Sequence, residues 1–228
     1  MKPILMGLLA ASVALGSLGS PTITAAADSP TTTGDKAVKA IDDFIASQKI
    51  DKTKANWKSN LPKPPVAAFD AKHKYVATVV TNKGTIKIQL KPDVAPMHVS
   101  SFIYLTRLGF YDGISFHRVI PGFMAQGGCP LGTGTGGPGY QYDGEINPNV
   151  NKHDKGGMLS MANAGPGTDG SQFFLTFVPT PWLDKAHTIY GEVIEGKDVL
   201  STLEKFGSAP AGKTTEPLRM ETVTVEAL

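Results

Sequence analysis

The sequence predicts a mainly β domain, a closed antiparallel barrel capped by two α-helices. Three observations carry that reading. Glycine and proline are abundant, 25 and 17 of 228 residues, and helical spacing is confined to a few stretches. Apolar residues alternate in short runs, as in Ile86, Ile88 and Leu90 or Val223 and Val225. The connections between runs are short, and closure removes the exposed edges that short antiparallel strands otherwise leave.

The first 27 residues are not read as fold. Lys2 precedes an apolar run from Ile4 to Leu18, followed by Ala25-Ala26-Ala27, the layout of a secretory signal cleaved after Ala27. A spanning helix is the rival reading, but a run of roughly 15 residues is short for one. The chain therefore divides into a signal peptide (1–27), an N-terminal extension (28–73) and a main domain (74–228). An exported protein is expected, periplasmic or secreted, monomeric and without membrane attachment after cleavage. A chain of this size buries a core without staples. The net charge of +2 offers no field for nucleic acid. Cys129 is the one cysteine, which excludes an intrachain disulfide and a lipid anchor just after the apolar run.

Asp28 to Asp35 reads as a polar leader. Lys36 to Gln48 has helical spacing, with Val38, Ile41 and Ile45 on one face, and docking on the main domain is favoured over docking on a partner. Leu61-Pro62-Lys63-Pro64-Pro65 is stiff, a linker or a strap along the domain. Tyr75–Thr81 and Thr85–Leu90 flank the turn Asn82-Lys83-Gly84 and form a hairpin. Pro92 to Leu108 is a helix with Val99, Phe102, Ile103 and Leu108 as its apolar stripe, ended by Gly109.

Next, Ile114, Phe116, Arg118 and Ile120 share one parity and Ser115, His117 and Val119 the other, so this stretch reads as a strand broken by Pro121-Gly122. An arginine alternating with apolar neighbours must be paired or face a cleft, because a buried lone charge is very costly. Gly132-Thr133-Gly134-Thr135-Gly136-Gly137 lacks the ending of a phosphate-binding loop and reads as backbone brought close to a ligand or another loop. Met161 to Thr176 is strand, tight loop, strand, and His187 to Val193 is a further strand. Gly196 to Phe206 is a helix, and Glu221 to Ala227 a closing strand. The count is about seven or eight strands.

Phe116 to Gly128, Met161 to Phe174, and Trp182-Leu183-Asp184 with His187 resemble the signature blocks of the cyclophilins, the cyclosporin-binding peptidyl-prolyl cis–trans isomerases. The resemblance runs from about Lys74 to Leu228. It implies an eight-stranded antiparallel β-barrel capped by two helices, needing no cofactor and no metal. It implies proline-containing peptides and unfolded exported proteins as partners, and cyclosporin as a ligand. By position, Arg118 resembles the catalytic arginine, Gln126 the side chain that positions it, and Asn163 the backbone clamp on the residue before proline. Phe123, Met124, Phe174 and Leu183 resemble the pocket for the proline ring. Ala162, Ala164 and Gln172 line the groove, His117 sits beside the arginine, His187 lies at the pocket's rim, and Trp182 matches the position associated with cyclosporin. The sequence departs from the pattern in three places: Cys129 where an acid is common, Lys185-Ala186 where Gly-Lys is usual, and Tyr190 where Phe is common.

Those residue types suit the chemistry. Amide resonance sets a rotation barrier of about 18–20 kcal/mol, and X-Pro isomers interconvert slowly despite similar energies. No bond breaks, so no nucleophile or metal is required, and the five histidines show no tight metal-ligand spacing. In the twisted amide the proline nitrogen gains a lone pair, and a guanidinium aimed there stabilises that state selectively. The alternatives are a non-catalytic proline-peptide binding module or chaperone using the same groove, and a scaffold whose working part is residues 36–73. Arg118, Gln126 and the apolar quartet favour the enzyme.

Overall fold

In the computed structural model, residues 34–147 and 152–228 are described. The signal segment, its cleavage site and the leader as far as residue 33 lie outside the described residues.

Helix α1 (Lys36–Ser47) starts where Asp35 Oδ1 accepts the Val38 N–H at 2.8 Å, an N-cap. Its Ala37, Val38 and Ile41 are buried in the same core cluster as the rest of the chain. Phe44 meets the Tyr104 ring edge-on at 5.6 Å, and Arg107 grips Asp42 with two bonds of 2.8 Å. The helix therefore docks on α2 (Pro96–Arg107). The proline-rich stretch is a strap: Leu61 and Ala67 are buried, Leu61 N–H donates to Pro138 O at 2.8 Å, and Ala67 N–H donates to Ser100 Oγ at 2.9 Å.

β1 (Tyr75–Thr81) and β2 (Gly84–Leu90) form the expected hairpin. The other strands are β3 (Arg118–Ile120), β4 (Met124–Gly127), β5 (Met158–Met161), β6 (Phe173–Thr176), β7 (Ile189–Glu195) and β8 (Met220–Ala227). All neighbours pair antiparallel, in the order β3-β4-β6-β5-β7-β2-β1-β8. Helix α3 (Lys197–Lys205) buries Val199, Leu200 and Leu203, and α2 is buried from Met97 to Thr106.

The expected closed barrel is corrected to a curled sheet with an open seam. Strands β3 and β8 do not pair; only Ser115 and Arg219, just before each, form an isolated bridge. The reason is that another segment occupies the free edge of β3. Val119 N–H donates to Gly212 O at 2.8 Å, and Ser208 N–H donates to Val119 O at 3.1 Å. Glycine is required for that approach: a Cβ on Gly207 would lie 2.5 Å from Val119 O.

Two local expectations also change. The helix predicted from Pro92 begins at Pro96, because residues 91–95 form a turn and the Glu145 carboxylate accepts the first N–H groups, those of Met97 and His98, each at 3.0 Å. The single parity of residues 114–120 also fails. Phe116 and Val119 both enter the core, and regular strand begins only at Arg118. Phe116 still pairs with Leu218, whereas Val119 pairs with Gly212, so the chain changes partner and face between them.

Candidate active site

The sheet register builds the site. Arg118 lies opposite Gln126, Gln126 opposite Phe174, and Phe174 opposite Ser160, so four strands place these side chains in one row on one face. Met124, two residues from Gln126, joins that face. Their neighbours Val119, Ala125, Phe173 and Leu175 face the core. Met124 and Phe174 are buried but do not belong to the core cluster, and so form a separate apolar site.

Arg118 is half-buried and has no carboxylate partner among the described residues. Its Nη1 donates to Gln126 Oε1 at 3.3 Å. Gln126 Nε2 in turn donates to Gln172 Oε1 at 3.1 Å, and Gln172 Nε2 donates to Gly134 O and Gly136 O, both at 2.8 Å. Two side chains, Gln126 and Gln172, thus connect the guanidinium to the backbone of the glycine-rich loop. The stem of Arg118 rests on Gly212, where a Cβ would come within 2.6 Å of its Cγ. The cation is oriented without being neutralised, which leaves its remaining donors for a ligand.

Beside it lies the apolar pocket. The Phe174 ring meets His187 edge-on at 5.5 Å and stacks with His153 at 6.2 Å. His187 Nδ1 donates to Met161 O at 2.9 Å, which fixes its tautomer. Phe123 sits 5.9 Å from Trp182, which is 64% exposed and forms the outer lip. Leu183, half-buried, follows it on the 3-10 turn Pro181–Leu183. Below, His153 bonds Asp184 Oδ1 at 2.8 Å and Ser160 Oγ at 2.9 Å. Burial lowers the His153 pKa despite Asp184, whose carboxylate accepts from Nδ1, while the Ser160 hydroxyl donates to Thr188 O at 3.2 Å. These three have the spacing of a nucleophilic triad, but Ser160 is 0% exposed, so their role is to support Phe174.

A cleft of about 400 Å³ adjoins the pocket, lined by Gln126, Gly136, Tyr140, Ala162, Asn163 and Gln172, with Ala164 at its edge. Asn163 is pinned by its side chain: Nδ2 donates to Ala186 O at 3.0 Å, and Oδ1 accepts from Gly165 N–H at 3.2 Å. Its main-chain N–H and C=O bond to none of the described residues and are free to pair with an extended peptide. The sequence-predicted residues therefore fall into two adjoining groups, a ring pocket and a backbone groove, which meet at Gln126 and Gln172.

His117 lines neither. Its ring lies against Gly134, with both nitrogens buried and unbonded, and burial and then the Arg118 charge hold its pKa down. Sequence reasoning missed Tyr140, the Gly134 and Gly136 carbonyls, and the Ser160–His153–Asp184 support. The glycine run itself was the available signal for the carbonyls, since it marked backbone close to another loop. Cys129 keeps the acceptor role of an acid there: its buried Sγ accepts N–H groups from Gly134 and Gly136, both at 3.3 Å. Burial pushes the thiol up, but the donors led by Gly136 outweigh it and hold its pKa below the ordinary value. No group of His, Cys, Asp and Glu among the described residues has a metal-binding arrangement, and no described helix is long and apolar enough to cross a membrane.

Lys185 has φ +66°, the left-handed region, where the resembling pattern has glycine. Lys185→Gly is expected to raise stability by about 1 kcal/mol, read as a higher denaturant midpoint at unchanged slope. A lower midpoint would show that the lysine stem contributes more than its backbone costs.

Residues 76–225 match the family model described as cyclophilin type peptidyl-prolyl cis-trans isomerase/CLD. A peptidyl-prolyl cis-trans isomerase of Helicobacter pylori is 49% identical over 147 residues, covering 62% of this chain and 89% of that protein. Peptidyl-prolyl cis-trans isomerase A of Mycobacterium tuberculosis is 45% identical over 166 residues, covering 65% and 91%. A crystal structure of a Cryptosporidium parvum cyclophilin type isomerase, solved in the presence of the dipeptide Ala-Pro, superposes with a TM-score of 0.63 at 36% identity, covering 66% of this chain and 98% of that one.

Proposed function

The chain belongs to the cyclophilin-type peptidyl-prolyl cis–trans isomerases, and from that premise we propose that Arg118, Gln126 and Asn163 carry X-Pro rotation in segments of exported proteins. The observation that supports the residue roles is the position of Arg118. It is a guanidinium without a carboxylate partner among the described residues, held by Gln126 where an apolar pocket meets a backbone groove.

The pocket of Phe123, Met124, Phe174 and Leu183, rimmed by His187, holds the proline ring. The free main chain of Asn163, with Ala162, Ala164 and Gln172 around it, holds the preceding residues. Rotation then takes place between two anchors. As the amide twists, its nitrogen becomes pyramidal, and Arg118 donates to the new lone pair. That contact is worth more in the twisted state than in either planar one, which is the condition for a higher rate. No proton is transferred, and arginine stays charged throughout.

Export rests on Lys2, the apolar run and the Ala25–Ala27 site, and predicts a mature chain beginning at Asp28. Trp182, exposed on the lip, makes cyclosporin a competing ligand. One assay tests these roles: protease-coupled isomerisation of an Ala-Pro peptide by the mature chain, with and without cyclosporin. Rapid isomerisation that the drug abolishes is expected. A flat response without drug would leave a proline-peptide binding module, and activity untouched by drug would remove Trp182 from that role.

A further inference from the structure

The segment ahead of the family region touches the cleft wall at one place. There the strap runs against Pro138-Gly139, immediately before Tyr140 and after the loop whose carbonyls hold Gln172. Leu61 N–H donates to Pro138 O at 2.8 Å. The backbones are in direct contact: a Cβ on Gly139, which has φ +103°, would lie 2.8 Å from Leu61 N and 2.9 Å from Asn60 Cα. The strap is itself anchored, because the Leu61 side chain is buried in the main core and Lys58 Nζ donates to Asp112 O at 3.0 Å. A second route reaches the same wall. Phe44 of α1 packs on Tyr104, whose ring is 6.4 Å from that of Tyr140, and Tyr140 OH bonds Ser101 Oγ at 2.8 Å.

A glycine-rich wall has little stiffness of its own, since glycine leaves the backbone many conformations. Gly136, Gly137, Pro138 and Tyr140 all line the cleft. Their position rests on contacts from outside the loop: Asn60 and Leu61 supply one set directly, and Phe44 acts at one remove, through Tyr104 of α2. None of residues 44–61 falls within the matched family region, which begins at residue 76.

We infer that the strap, through Asn60 and Leu61, is a positioning element for the cleft wall and so sets the affinity for substrate residues on the N-terminal side of the proline. This rests on the isomerase reading, with the cleft continuing the groove beyond Asn163. The strap meets the loop at Pro138 and Gly139, beyond the Gly134 and Gly136 carbonyls that hold Gln172 and through it Gln126 and Arg118, so the turnover of bound substrate is largely independent of the strap.

The test uses the full mature chain and two peptides, one with a single residue before proline and one with four. In Leu61→Ala, KM for the longer peptide should rise about tenfold with kcat within about twofold of wild type, because the wall is displaced while the chemistry is not. The shorter peptide should be unaffected. Gly139→Ala, which forces the wall off the strap from the other side, should give the same split. Val225→Ala, a core truncation in β8, provides the baseline for lost stability alone and should change neither KM. If Leu61→Ala does not fold, Leu61→Val is read in its place. Equal KM changes for both peptides, or variants with unchanged KM, overturn the inference. A wild-type chain that isomerises neither peptide overturns the isomerase reading itself, and this inference with it.

Discussion

Arg118→Ala should lose about 10²–10³-fold in kcat/KM on an X-Pro peptide, the order found when a preorganised donor to developing charge is removed. The loss should appear in kcat with KM little changed, since the contact forms in the twisted amide and not with the planar substrate. Stability should stay within about 1 kcal/mol of wild type, because no carboxylate is left unpaired. Arg118→Lys should recover little of the activity. A point charge on a flexible stem keeps the sign but not the fork that Gln126 orients. The decisive comparison is a coupled isomerisation assay alongside a denaturant titration of the same samples. Retained activity in a folded Arg118→Ala protein would move the chemistry to another donor.

The legible parts of this site are those set by local sequence. Arg118 and Gln126 face each other because a short turn at residues 121–123 folds β3 back on β4; the sequence shows the break at Pro121-Gly122, and the resemblance puts Gln126 beside the arginine. The hairpin of β1 and β2 and the docked face of α1 are equally local. The parts that escaped reading depend on contacts between distant segments. The start of α2 depends on Glu145, 48 residues beyond Met97. The open seam depends on the loop at 207–212 taking the edge of β3. Gln172 could be placed in the groove by resemblance, but its bonds to Gly134 and Gly136 belong to a loop almost forty residues earlier. Alternation shows which face a residue takes only while the strand keeps one partner, and the change of partner between Phe116 and Val119 ends that rule.

The largest stability effect is expected at His98, a residue outside the chemistry. It is 0% exposed, and its two ring nitrogens point at carboxylates: Nδ1 to Glu145 Oε2 at 2.7 Å and Nε2 to Asp169 Oδ2 at 2.8 Å. Ionised carboxylates only accept, so both nitrogens carry protons and the ring is a buried imidazolium. Burial pushes its pKa down, but the bonds to Asp169 and then Glu145 outweigh burial, and the pKa stays above 6.5. His98→Leu strands the Asp169 carboxylate, which is 1% exposed, and should cost about 3–5 kcal/mol. The pH dependence follows from the sign of the shift. A raised folded-state pKa contributes stability that is complete below the unfolded value of 6.5 and is lost as pH rises through the folded value. The lowered pKa of Glu145 acts in the other window, with stability complete above 4.5 and lost as pH falls. His117 and His153, with pKa values held below 6.5, add stability as pH rises towards that value and nothing further above it. Wild-type stability should therefore decline with pH above 6.5, and the decline should be absent in His98→Leu. Urea unfolding of both proteins at a series of pH values gives the two slopes. The effect should reach the site as well, because Asp169 leads into Gly170, Ser171 and Gln172 of the cleft. Parallel slopes and a loss under 1 kcal/mol would show that His98 is a neutral packing residue, and that the cleft's outer loops are held by hydrogen bonds without charge.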